Sequence, residues 1–266
     1  MLKDITLGQY FPGNSILHRS DPRIKLILVF VFMILIFLID TYYTFAAMLC
    51  FVLLAVILSA IPVRHTLKGL KPILSLIIFV AVFNAFSIPG KVLLQLGPLS
   101  LTVEGLEMSL KMVMRLTLLM VSSSLLTLTT TPIALTDGIE KLMGPLKKIG
   151  VPAHEIAMMM TIALRFIPTL LEETDKIMKA QASRGADFDS GNIISRAKSF
   201  IPVLIPLFVS AFRRADELAL AMEARCYRGS EGRTRMKQLR MGKIDAVLLI
   251  AMTLFTALLI YLKYFI

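Results

Sequence analysis

The chain has 266 residues, of which 56% are hydrophobic and 18% charged, with a mean hydropathy of +0.77. Soluble domains carry roughly 45–50% apolar and about 25% charged residues, so the excess, gathered in long uncharged runs, excludes a soluble globular protein and equally a disordered chain. The formal net charge of +11, from 29 Lys+Arg against 18 Asp+Glu, fits the basic cytoplasmic loops of a membrane protein; no aromatic-interleaved basic strand or zinc-knuckle spacing points to nucleic acid.

The polar, turn-rich stretch from Met1 to Arg19 does not resemble a cleavable signal peptide. A spanning helix needs about 20 mostly apolar residues. Five runs approach this: Leu26 to Ile39, with Arg23 and Lys25 placed to snorkel; Thr41 to Ile61, closed by Pro62; Pro72 to Ile88, closed by Pro89-Gly90; Met108 to Leu128, with Lys111 and Arg115 near its start; and Ala246 to Leu262, flanked by Lys243 and Lys263. Between the third and fourth, residues 91–104 hold two β-leaning runs broken at Gly97-Pro98, which predicts a short external hairpin. Most of the Lys and Arg lie before span 1, between spans 2 and 3, and in residues 131–243. Five spans with the N-terminus inside put all of these in the cytoplasm. The predicted fold is therefore an all-α integral membrane protein: spans 1–4 in residues 1–130, a cytoplasmic segment over 131–243, and a last span in 244–266.

The cytoplasmic segment reads as three helices. The first runs from Pro132 to about Ile149, N-capped by Thr131 and stopped by Gly150; its apolar positions make it amphipathic. The second runs from about Ala153 to Arg184, bent at Pro168. The third runs from about Ile194 to Tyr227, with an apolar stretch near Ser199 to Phe212 that is too short to span and reads as buried or interfacial. The second and third share a plan: each starts apolar and ends charged, stopped at Ser183-Arg184-Gly185 and at Ala224-Arg225-Cys226-Tyr227-Arg228-Gly229, with Gly232 beyond. A glycine lets the backbone turn out of the helix, and the arginine before it offers a planar fork to a carboxylate or carbonyl pair. An arginine at a helix C-terminus also complements the helix dipole; two such tips in one segment favour docking onto a protein. The consecutive Met158, Met159 and Met160 cannot share one face, but methionine surfaces re-pack against different partners.

Catalytic patterns are scarce. There is no phosphate loop and no serine nucleophile elbow, and His18, His65 and His154 lack a second His or Cys at helical spacing. Cys50 and Cys226 do not suggest a disulfide framework. Asn84 reads as an interhelical hydrogen bond. Lys111 reads as the i, i+4 partner of Glu107, and Arg115 as lining a protein interior or touching another membrane subunit. A membrane-embedded enzyme would need Glu172, Glu173 and Asp175 to converge with His154. A stand-alone secondary carrier would need broken helices in inverted repeats.

The chain also resembles the transmembrane T component of energy-coupling factor (ECF) transporters, along essentially its whole length. The resemblance rests on Gly8-Gln-Tyr-Phe-Pro-Gly-Asn-Ser-Ile-Leu-His18-Arg19-Ser-Asp21-Pro22-Arg23, on Thr130-Thr-Pro132 followed by Leu-Met-Gly-Pro-Leu-Lys-Lys148, on His154-Glu155, and on Ile162-Ala-Leu-Arg165-Phe-Ile-Pro168. It rests above all on two Ala-Arg-Gly-type signatures, matched by Ser183-Arg184-Gly185 with Ser for Ala and by Ala224-Arg225-Cys226 with Cys for Gly. The resemblance implies a non-enzymatic coupling subunit in a prokaryotic cell membrane. It would bind two cytoplasmic ABC ATPases, which hold the ATP, through Ser183, Arg184, Gly185, Ala224, Arg225, Cys226, Arg228 and Gly229; either Arg225 or Arg228 makes the main contact at the second tip. It would also carry a small substrate-binding S subunit, with Met158, Met159, Met160 and Phe166 as contacts, for vitamin or metal uptake. No cofactor or metal of its own is implied.

Overall fold

The computed structural model describes residues 10–96, 99–188, 192–229 and 239–265. Its chain order is α1 (Ile16–Arg19), α2 (Pro22–Leu38), α3 (Tyr42–Ser59), α4 (Val63–Lys68), α5 (Leu74–Ser87), β1 (Val92–Leu96), β2 (Leu99–Thr102), α6 (Val103–Thr129), α7 (Pro132–Met143), a 3₁₀ turn (Gly144–Ile149), α8 (Ala153–Ser183), α9 (Ile193–Ser199), α10 (Ile201–Ala224) and α11 (Lys243–Phe265). The described residues divide into two compact units, one within 10–141 together with 239–265 and the other within 142–229. Gly8, Gln9, Gly97, Pro98 and Gly232, which the sequence reading uses, lie outside the described residues.

In the first unit, α2, α3, α6 and α11 bury one apolar core that includes Phe32, Ile36, Phe45, Met48, Leu118 and Leu259. Phe51 stacks on Phe255 at 4.1 Å and 14°, joining α3 to α11. Helix α5 pairs with α6 across the antiparallel β1–β2 hairpin, which pairs from Val92↔Thr102 to Leu96↔Leu99 with an irregularity between Val92 and Leu94. Thr102 fixes that corner: its hydroxyl donates to the Ile88 carbonyl at 2.7 Å and accepts the Gly105 amide at 3.0 Å, capping α6. At Gly105 the two helices come close, since a Cβ there would stand 2.7 Å from the Ala85 carbonyl oxygen.

Among the described residues, four helices are long and apolar enough to cross a membrane: α3, α6, α8 and α11. Helices α2 and α5, at 17 and 14 residues, are shorter. The expected spans thus coincide with α3, α6 and α11. Helix α8 also qualifies by length and composition, which the sequence reading did not expect of its charged segment.

Several local expectations change. Helix α2 begins at Pro22, not Leu26, because Asp21 accepts the Arg23 amide at 2.9 Å and proline suits the first turn. Lys25 therefore does not snorkel; it is buried, and its ammonium donates to the Thr129 carbonyl at 3.0 Å and to the Thr130 hydroxyl at 3.2 Å. Lys111 stands over the Tyr42 ring at 4.9 Å instead of pairing with Glu107. Asn84 bonds the Val80 carbonyl of its own helix at 2.9 Å rather than a neighbouring one. The interior reading of Arg115 holds, by contrast: it is bonded to the Ile39 carbonyl at 3.0 Å and to Asp40 at 2.8 Å. The first helix of the charged segment ends at Met143, because Pro145 has no amide to donate and clashes with the carbonyl of the preceding turn. The third helix splits at Phe200 into α9 and α10, with Pro202 in the first turn of α10. Pro168 lies inside α8, as expected.

The first unit is tied together by carboxylates. Asp245, 3% exposed, accepts the Asp21 amide at 2.8 Å and the Gly242 amide at 2.8 Å. Arg23 grips Asp21 through two nitrogens, at 3.0 and 2.7 Å, and reaches the Leu239 carbonyl at 3.2 Å. This bond to Arg23 holds the Asp21 carboxyl, which precedes α2, below its ordinary range. Asp245→Ala strands the buried Asp21 amide and removes the acceptor of the more exposed Gly242 amide, and should cost about 2 kcal/mol, lowering the melting midpoint in mild detergent. Because a depressed carboxyl stabilises above its unfolded pKa and loses that contribution as pH falls through the folded one, Asp21→Asn should lower the midpoint at neutral pH. Its difference from wild type should shrink only below the ordinary carboxylate range, which a melting series against pH would read.

Candidate functional site

The second unit is built on α8 and α10. Three pairings fix their relative direction: Gln181 reaches the Pro202 carbonyl at 3.5 Å, Glu173 accepts from Ser210 and Arg214, and Ile162 and Phe166 share an apolar groove with Leu218 and Met222. The two helices therefore pack antiparallel. Both end in charge, so their C-terminal tips lie at opposite ends of the pair, separated by about the length of α10, roughly 36 Å.

The tips have the same backbone. At the end of α8, Arg184 sits at φ −90, ψ 6, and Gly185 turns left-handed at φ 88; the Gly185 amide bonds the Ala182 carbonyl and the Ala186 amide the Gln181 carbonyl, both at 3.0 Å. At the end of α10, Arg225 sits at φ −92, ψ 13, and Cys226 turns left-handed at φ 56; the Cys226 amide bonds the Glu223 carbonyl at 2.8 Å and the Tyr227 amide the Met222 carbonyl at 3.0 Å. Each is a Schellman closure with arginine as the last helix-like residue. Arg225, not Arg228, is thus the geometric counterpart of Arg184, and Cys226 stands where Gly185 does. Arg228 precedes a second left-handed residue, Gly229, at φ 83. Arg184, Arg225 and Arg228 are exposed, and none has a hydrogen bond or ion pair to its side chain among the described residues. Ser183 closes α8 with its hydroxyl on the Lys179 carbonyl at 3.1 Å, and Ala224 closes α10.

The apolar halves are less covered than their composition predicts. Met159 and Met160 are 58% and 39% exposed, Met158 is half-buried, and Phe166 is half-buried in the groove facing α10. On α10, Leu204, Ile205, Phe208, Val209 and Phe212 are all exposed, so most of the stretch read as buried or interfacial is open surface within this chain. Of the two readings of that stretch, its exposure disfavours burial within this chain and is compatible with an interfacial helix; Leu204, Phe208 and Phe212 carry it at four-residue spacing. The acidic run on α8 does not gather into a catalytic cluster: Glu173 is committed to α10 and Asp175 pairs with Lys179 at 2.7 Å. No group of three or more His, Cys, Asp or Glu converges among the described residues.

A left-handed conformation costs a residue with a Cβ about 1 kcal/mol. Cys226→Gly should therefore slow hydrogen exchange at the Tyr227 amide by about fivefold, and Gly185→Ala should speed it at Ala186 by a similar factor. An added Cβ at Gly185 meets nothing within 4 Å, so only the backbone term operates there. Exchange mass spectrometry on the two tip peptides reads both.

Residues 13–236 match the family described as cobalt transport protein, CbiQ. The chain is 63% identical over 264 residues to the energy-coupling factor transporter transmembrane protein EcfT of Ruminiclostridium cellulolyticum, covering 99% of each. It is 57% identical over 250 residues to that of Thermosediminibacter oceani, covering 94% of each, and 45% identical over 264 residues to that of Bacillus subtilis, covering 99% of this chain and 100% of the relative. Whole-length matches at these identities place the chain in a family, and it belongs to the CbiQ family as a transmembrane component of energy-coupling factor transporters.

Proposed function

We propose that this chain is the coupling subunit of an ECF-type importer in the cell membrane, with its N-terminus in the cytoplasm. The single observation that carries the reading is the pair of superimposable arginine-bearing helix ends held at opposite ends of the antiparallel pair α8–α10. One docking element repeated at two separated points suits two homologous partners, and two cytoplasmic ABC ATPases fit that requirement. Arg184 and Arg225 enter a groove on each ATPase and bind a carboxylate or helix-end carbonyls there; Arg228 lies beside the second contact. ATP is bound and hydrolysed by the partners, and this chain supplies no catalytic group.

The exposed apolar residues of α10, with Met159 and Met160 of α8, form the seat for a small hydrophobic S subunit that carries the vitamin or metal cargo. ATPase closure moves the two tips, and the helices pass that motion to the S subunit, which releases its cargo inward. The work of the chain is thus a coupling free energy between sites.

Affinity purification of the tagged chain from its own membranes in mild detergent should recover ABC ATPases together with a small hydrophobic subunit. Recovery of the chain alone would sink the reading. Arg184→Ala and Arg225→Ala should each weaken ATPase recovery by about 10- to 100-fold, matching the ~1.5–3 kcal/mol of a charge-assisted hydrogen bond. Arg228→Ala should have a smaller effect, and the double Arg184/Arg225 variant should abolish recovery while the chain remains in the membrane.

A further inference from the structure

The first unit holds a cleft of about 170 Å³ among α2, α3, α6 and α11, close in size to an engineered cavity of about 150 Å³ that admits a benzene ring. Its exposed lining residues are Leu54 and Leu58 of α3 and Ala251 of α11, so its mouth opens along those two helices, on a surface that the bilayer covers. Along α2 the cleft reaches from Lys25 to Phe32, about 10 Å at 1.5 Å per residue. The far end is aromatic, where Phe32 stacks on Phe51 at 6.0 Å. The near end gathers the start of α2, Leu58 near the end of α3, Thr129 at the end of α6 and Leu248 in the first half of α11. In the orientation proposed above, that end lies toward the cytoplasmic leaflet.

The polar side chains lining the cleft are Lys25, Ser122 and Thr129. Ser122 and Thr129 each donate to a carbonyl of their own helix, that of Leu119 at 2.9 Å and that of Leu125 at 2.7 Å. Lys25 differs. It is 6% exposed, and among the described residues two acceptors, the Thr129 carbonyl and the Thr130 hydroxyl, meet the three N–H donors of its ammonium. The charges of Asp21 and Asp245 act on it, yet Asp21 is gripped by Arg23 and Asp245 accepts two backbone amides. What Lys25 lacks is an acceptor, not a countercharge. A donor left unmet in an apolar site is costly, and an ionisable group at membrane depth is paired or lines a functional site.

We propose that one acyl chain of a glycerophospholipid from the cytoplasmic leaflet fills this cleft, with its ester carbonyl accepting the third Lys25 proton. The chemistry of lipid and cleft runs in the same order. The ester carbonyl is the first polar group at the head of an acyl chain, and Lys25 is the open donor at the head of the apolar walls. A small soluble ligand would have to reach the mouth through lipid. Bound there, the lipid is a component of the first unit and not merely its solvent. The proposal uses the membrane orientation and does not depend on the coupling role.

The test strips the purified full chain of endogenous lipid in mild detergent and titrates it with a diester phosphatidylglycerol or with the diether analogue of equal head and chains. Native mass spectrometry counts the bound lipid. One diester molecule binds first, about tenfold more tightly than the diether, as one hydrogen bond from a charged donor allows. Lys25→Met removes that difference. Ala251→Phe, at the exposed mouth and clear of the Lys25 bonds, loses the tight lipid altogether. A diester lipid carrying a diazirine midway along one chain labels the peptides that contain Phe32, Phe51 or Met252, which line the cleft. Equal binding of diester and diether, tight binding that survives Ala251→Phe, or labelling confined to other segments overturns the proposal. Should Lys25→Met fail to fold, the diester–diether difference in the wild type and its loss in Ala251→Phe decide. A purified complex in which these peptides take no label, a partner chain covering the mouth, also overturns it.

Discussion

Two antiparallel helices cannot present their C-terminal ends at the same place. That constraint governs the second unit. Both α8 and α10 close on an arginine followed by a left-handed residue, and antiparallel packing sends these identical closures to opposite ends. Had the helices packed parallel, the tips would lie side by side and offer one composite surface. As built, they offer the same surface twice, a helix length apart. Helix ends suit this role because their last carbonyls must be satisfied in any case. The Schellman bonds do so locally, which frees the arginine side chains for a partner.

The first unit solves a different problem with similar chemistry. Its helices share an apolar core, but apolar contact alone does not fix where a helix begins or how chain termini are held. Asp245 and Asp21 supply direction: one carboxylate collects two backbone amides from separate segments, and the other caps α2 while holding Arg23, which reaches back to the Leu239 carbonyl. Lys25 does the converse, donating from inside α2 to the carbonyl and hydroxyl that end α6. Each buried charge is thus spent on backbone groups that helix ends leave unpaired, which is how a buried ionised group becomes tolerable.

Much of this was legible in the sequence where the controlling force is local. Helix limits near Thr131, Ala153 and Arg184 follow from local signals, and they fall close to their observed places, while Gly150 closes the 3₁₀ turn and not the α-helix before it. The hairpin after Pro89-Gly90 follows from alternation and a turn. The break at Gly144-Pro145 was equally local, and proline's missing amide is its signal. What the sequence hides is long-range. Nothing near Glu173 announces that its partners lie 37 and 41 residues away on another helix, and a run of acidic residues reads as solvated whatever it meets. Lys111 and Asn84 fail for the same reason in reverse: an i, i+4 partner or a neighbouring helix is the obvious guess, while a tyrosine ring and the helix's own carbonyl are what lie within reach. The exposure of the α10 apolar band is invisible in sequence, because hydrophobicity states a preference for burial without saying which molecule supplies the cover.

Cys226 shows how much of a motif is backbone and how much is side chain. By letter, the second signature departs from the first, and the nearby Arg228-Gly229 looks like the better match. By geometry, Arg225 and Cys226 reproduce the dihedral angles and hydrogen bonds of Arg184 and Gly185. Glycine at this place lowers the cost of a left-handed turn, but it is not what makes the turn: the two Schellman bonds hold a cysteine there too. Docking depends on where the arginine is delivered, and that is set by the closing bonds of the helix. The identity of the residue after the arginine can therefore drift within about a kilocalorie of strain, while the helix end itself cannot.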